Sequence, residues 1–174
     1  GSDKTRVLIE GRPLLDHVLD ALPAAWQIIA VGPERETSRD VMWVREEPAF
    51  GGPLAALATA LQLVCSPVFA LLGGDMPHLG GAPEVLIDRL TSEPAVTDAV
   101  VARTPDGRLQ PLLLAALTDA SRAAMPTDPA GASVMSWLKQ LRWTAHDIEQ
   151  APAHDVDTPE DLTPAHLRAD TDSN

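Results

Sequence analysis

The stretch Val68-Phe69-Ala70-Leu71-Leu72-Gly73-Gly74-Asp75 constrains this chain more than any other. Five apolar residues in a row, bounded by turn signals, read as a strand buried on both faces. Such strands belong to parallel sheets covered by helices, because a sheet with one wet face shows alternating polarity instead. The run ends in two glycines and a lone carboxylate, and open α/β sheets bind their ligands at the carboxyl ends of strands. One segment therefore predicts both an architecture and a place for chemistry.

The rest of the chain alternates helical and extended segments in the same sense. Leu15, Val18, Leu19 and Leu22 recur at helical spacing before Pro23, and residues 27–31 follow as a strand. Residues 41–44 form a short strand beyond a polar loop. Gly51-Gly52-Pro53 then opens a helix with Leu54, Leu57, Leu61 and Val64 on one stripe. After the central strand come a helix around residues 85–90, a strand in "AVTDAVVA", and "QPLLLAAL" as a strand running into a helix. Residues 133–141 read as a helix with Val134, Trp137, Leu138 and Leu141 inward, "LRWTAHDI" as a last strand, and "DTPEDLTPAHLRA" as a final helix capped by Thr158. The pattern predicts an α/β fold, a doubly wound and mostly parallel sheet with helices on both faces. A single domain over residues 1–168 and a frayed tail over 169–174 account for the length.

Charge limits the partners. Thirteen basic against 25 acidic residues give a net charge of -12, which argues against nucleic acid and against an anionic membrane. A phosphate ligand needs local compensation, from a divalent cation and a placed Lys or Arg. The lone Cys65 excludes an internal disulfide and reads as core packing, and a reducing cytoplasm is the expected setting.

Three groups of residues carry candidate chemistry. Asp75 at its strand end either holds Mg²⁺, a hard cation that bridges to phosphate oxygens, or caps the next helix. Gly51-Gly52-Pro53-Leu54 is either a tight turn or a loop of bare backbone against a nucleotide at a helix N-terminus. Asp155 and Asp157 share one side of extended backbone and could share a cation, or Asp157 and Thr158 simply cap the last helix. His78 and His154 lack metal-ligand spacing and read as solvated.

Taken in order, "DKTRVLIEGRPLLDHVLDAL", "GGPLAALATAL", "LLGGDMPHL", "RLQPLLLAAL" and "DVDTPEDL" resemble the nucleotidyltransferase family that includes the molybdenum cofactor guanylyltransferases. The resemblance runs from Asp3 to about Leu167 and implies a Rossmann-like nucleotidyltransferase fold. By it, Lys4 neutralises nucleotide phosphates and Glu46, Gly51, Gly52, Pro53 and Leu54 lie on the nucleotide side. Asp75, with Asp157, binds Mg²⁺, while Gln110, Pro111 and Asp155 lie toward the acceptor. The implied reaction transfers GMP from GTP to molybdopterin with release of pyrophosphate, and a molybdoenzyme or cofactor-insertion protein would receive the product.

The family's first strand and its phosphate loop, of the form L-A-G-G-x-S-x-R-M-G before D-K, would fall ahead of Asp3-Lys4. Other departures are Gly32-Pro33 where the family usually has Asn, Glu46-Glu47 where it usually has Asp, and "DVDTP" where N-x-N-T-P is frequent. These positions bear on base and acceptor, so transfer of another nucleotide to molybdopterin, a sugar phosphate or a phospholactate stays open. A non-catalytic nucleotide-binding module is the alternative from another class.

Overall fold

The computed structural model describes residues 5, 8–47, 49–92 and 97–149. A minimal hairpin of β1 (Leu8–Ile9) and β2 (Arg12–Pro13) leads into α1 (Leu14–Asp20), and β3 (Ile29–Val31) then pairs in parallel with β4 (Met42–Val44). There follow α2 (Pro53–Leu61), β5 (Val68–Leu72), α3 (Ala82–Ser92), β6 (Ala99–Arg103), β7 (Leu109–Leu117), α4 (Thr118–Ala123), α5 (Val134–Leu138) and β8 (Trp143–Asp147). The polar loop between β3 and β4 is anchored by Arg39, whose guanidinium donates to the carbonyls of Leu19, Leu22 and Pro23. It thereby satisfies acceptors that the end of α1 leaves open.

The larger sheet has the order β5-β7-β6-β8. β6 runs parallel to β8, and β7 runs against both β5 and β6. Three strands thus share one direction, as a mostly parallel sheet requires, with β7 reversed between two of them. Sequence patterning has no means of showing that reversal, since a strand buried on both faces reads alike in either direction.

Strand periodicity sorts the core into two layers. Val101 of β6 and Leu114 of β7 face Leu54, Leu57 and Leu61 of α2 and Val134, Trp137 and Leu138 of α5. Val100 and Leu113, one residue out of step, face Val18 and Leu22 at α1 and Leu86 and Leu90 of α3. Helices therefore cover both faces, as expected. Trp137 is 1% exposed, and its indole N–H donates to the Ser121 carbonyl at 3.2 Å, so its polar edge is buried without loss. Asp98, just before β6, accepts from the Arg142 guanidinium at 2.7 and 2.9 Å and from the Arg142 N–H at 3.0 Å, tying β6 to the approach of β8. Those bonds hold the Asp98 carboxyl below the usual carboxylate range.

Three expectations change. The central strand, β5, is half-buried along its whole length, whereas four successive residues of β6 and of β7 are buried. β5 pairs only with β7, and its other edge borders a cavity. The segment "QPLLLAAL" is strand throughout, with helix only from Thr118. Cys65 is exposed rather than core, because it lies on the turn between α2 and β5. Lys4, His154, Asp155, Asp157 and the final helix lie outside the described residues.

Candidate functional site at the carboxyl rim of the sheet

β5 ends where the opening stretch places its glycines. The Gly73 N–H donates to the Leu112 carbonyl at 2.8 Å, extending the β5–β7 pairing one residue before the chain leaves the sheet. A Cβ at Gly73 would stand 2.9 Å from Asp75 Oδ1, and one at Gly74 would stand 3.1 Å from Thr5 Cγ2. Close approach is the reason for both glycines. Asp75 is half-buried, and among the described residues its carboxylate has no hydrogen-bond or ion-pair partner. It does not cap the next helix, which begins at Ala82. A carboxylate held against a strand end with nothing to bind is available for a cation.

The reversed direction of β7 determines what stands beside Asp75. Leu113 lies opposite Leu72, so Pro111 and Gln110 come level with the Gly74-Asp75 turn. Gln110 also pairs with Ala102 of β6, next to a β-bulge at Val101/Ala102, and Ala102 pairs with His146 of β8. Bulges are common where a sheet rim re-aims side chains toward a site. His146, half-buried at this rim, had no distinguishing signal in the sequence, since only strand order brings it there.

The loop before α2 forms another part of the rim. Gly52 is the N-cap at φ 90° and ψ 178°, with no side-chain cap, and Pro53 takes the first helical position. The conformation at Gly52 is one that L side chains rarely adopt, and the uncapped first turn leaves backbone N–H groups for an anion. Glu46 is committed locally, its Oε1 accepting the Phe50 N–H at 2.9 Å. The Gly51 carbonyl accepts from the Gly131 N–H at 2.8 Å, which ties the loop to the turn before α5. Leu54 is wholly buried, so it anchors the helix beneath the loop while Gly52 and Pro53 stand at the surface. Pro53, Gly73 and Gly74 line the same opening. Phe50, passed over in the sequence, is 99% exposed with φ 63°. An aromatic residue immediately before a double glycine was the available signal.

Among the described residues no group of three or more His, Cys, Asp and Glu could hold a metal ion. One or two carboxylates completed by phosphate oxygens and water is nevertheless how proteins hold magnesium with a nucleotide, and the unpartnered Asp75 fits that donor set. Zinc, which takes three or four protein ligands, does not fit.

With this geometry in view, residues 1–145 match the MobA-like NTP transferase domain. The chain belongs to that family, and so to the nucleotidyltransferases. A probable molybdenum cofactor guanylyltransferase of Natronomonas pharaonis is 29% identical over 184 residues, covering 95% of this chain and 89% of that one. Among solved structures, molybdopterin-guanine dinucleotide biosynthesis protein A of Archaeoglobus fulgidus has a TM-score of 0.70 at 18% identity, covering 93% of this chain and 88% of that one. The 2-C-methyl-D-erythritol 4-phosphate cytidylyltransferase of Thermus thermophilus has a TM-score of 0.66 at 18% identity, covering 93% and 91%. No helix among the described residues is long and apolar enough to cross a membrane.

Proposed function

We propose that this nucleotidyltransferase transfers GMP from GTP to molybdopterin in the cytoplasm, releasing pyrophosphate. The observation that carries the reading is the Asp75 carboxylate, unpartnered at the sheet rim and level with Gln110, with Gly52 and Pro53 at the same opening. In the reaction an oxygen of the acceptor phosphate bonds to the α-phosphorus, and the bond to the bridging oxygen breaks in line. The electron pair departs with pyrophosphate. Such chemistry depends on positioning and charge neutralisation more than on a covalent group of the protein.

Gly52 and the start of α2 receive the nucleotide against bare backbone, and Gln110 and Pro111 border the acceptor. Lys4 is assigned to the phosphates, and Asp155 and Asp157 to the acceptor and metal side, from the family resemblance. Mg²⁺, held by Asp75, would neutralise triphosphate charge and polarise the α-phosphate. Without compensation, a carboxylate and a phosphate at ~4 Å repel by a few kcal/mol even at an effective dielectric of about 20.

The fold's likeness to a cytidylyltransferase supports a second reading, transfer of CMP by the same chemistry. The test is pyrophosphate release by the chain with its natural preceding residues present, comparing GTP, CTP and ATP with Mg²⁺ and molybdopterin. Release with GTP alone, dependent on acceptor, fits the proposal. Preference for CTP moves the assignment to cytidylyl transfer, and no release with any nucleotide favours the binding module.

A further inference from the structure

A cavity of about 650 Å³ separates the two sheets. Ile29 and Val31 of β3 line it on one side, and Phe69 and Leu71 of β5 on the other. β3 pairs only with β4 and β5 only with β7, so each strand turns an unpaired edge toward the gap. Leu15 of α1 and Leu57 of α2 also line it, and these helices belong to the opposite layers of the core. The gap is thus a slot in the plane of the sheet, already covered above and below.

Its walls are too apolar to be an ordinary edge. Residues 29–31 and 68–72 read Ile-Ala-Val and Val-Phe-Ala-Leu-Leu, with none of the charges, prolines or bulges by which exposed edge strands avoid pairing. All eight are only half-buried. Open backbone donors and acceptors between hydrophobic covers carry a cost that pairing removes.

Thr5 shows where an occupant would leave. It lines the slot and packs against Gly74, just past the carboxyl end of β5. A strand running with β5 and continuing into Thr5 would emerge there. The four residues preceding Thr5 are Gly-Ser-Asp-Lys, which offer no apolar side chain to such a slot.

We propose that the slot binds one extended apolar segment of about five residues, ~17 Å at the rise of a strand, encoded immediately ahead of Gly1. It runs parallel to β3 and β5, hydrogen-bonds to both, and joins the two sheets into one. Because α1 and α2 cover it on either face, the segment is a continuous run of Val, Ile, Leu and Ala. The inference stands on the edges and the cavity, independently of which nucleotide the protein uses.

Hydrogen exchange with mass analysis tests this on the 174-residue chain and on the chain extended by the residues its gene encodes ahead of Gly1. The extension is expected to slow exchange of the amides in residues 29–31 and 68–72 by about a hundredfold, leaving β6 and β7 unchanged, in a protein that stays monomeric. Edge amides that still exchange fast in the folded extended chain would overturn the proposal. So would amides already protected in the 174-residue chain, whether by collapse or by residues 150–174, or by a second copy, which sedimentation reveals as a dimer. Should the extended chain not fold, the capped peptide Lys-Val-Ala-Val-Val-Leu-Lys is added to the 174-residue chain. Saturable protection confined to the β3 and β5 edges supports the slot, and its absence rejects it.

Discussion

β6 and β7 differ from β3 and β5 in one respect that composition does not reveal. All four contain runs of apolar residues, yet residues 99–102 and 113–116 are buried while every residue of β3 and β5 is half-exposed. The buried pair has strands on both sides and helices on both faces. The half-exposed pair has helices on both faces and a strand on one side only. Burial of an apolar strand is thus completed by its neighbours in the sheet, and hydrophobicity alone does not supply them. The division extends to function: the packed side carries stability, and the side bordering the slot carries Asp75 and the loop before α2.

The sharpest test of that division is paired. Trp137→Ala, on the packed side, should destabilise the fold by about 3–5 kcal/mol in denaturant unfolding through the cavity it leaves, and a loss below about 1 kcal/mol would break the comparison. Asp75→Asn should instead lower pyrophosphate release by about 10²–10³-fold, a loss of the size seen for one electrostatic contact to the transition state. Because no partner holds Asp75, unfolding should shift by less than about 0.5 kcal/mol. Near-normal turnover in that variant would remove the metal role.

Leu71→Ala should cost about 1 kcal/mol in the 174-residue chain, below the usual range for a buried leucine, because its side chain already meets the slot. In the extended chain the same change should approach that range, and equal costs in the two chains would argue against the completed sheet. The smallest effect concerns Asp98. Its carboxyl is held below the usual carboxylate range by the Arg142 guanidinium, so the folded state binds its proton less readily than the unfolded chain does. The ion pair therefore contributes fully above the ordinary carboxylate pKa of about 3.9 and is lost as pH falls through the lower, folded value. Asp98→Asn should be less stable than the parent at pH 6, with the two converging below about pH 3. A constant gap in acid unfolding would show that the pair does not titrate.

The helices were legible because amphipathic spacing is local. Leu15, Val18, Leu19 and Leu22, and likewise Leu54, Leu57 and Leu61, are buried as their spacing indicates. Asp75 and Gly52-Pro53 were legible because glycine next to a strand end or a helix start has few structural reasons to be there. The local commitment of Glu46 to the Phe50 N–H was not, since a carboxylate in a polar loop looks the same whether it meets a ligand or its own backbone. Nor was the exposure of Cys65, which depends on which way one turn faces.

By itself, the sequence determined the kinds of elements, their order, the apolar faces of the helices and the two glycine-marked places where a ligand can approach backbone. These follow from short-range sterics and from periodicities of two and 3.6 residues. Only the tertiary structure decided that β7 runs against its neighbours, that Gln110 and His146 therefore reach the rim, and that β3 and β5 stand apart across a slot. Strand order and direction are set by hydrogen bonds between segments far apart in the chain, and no residue carries a local mark of the partner it will meet.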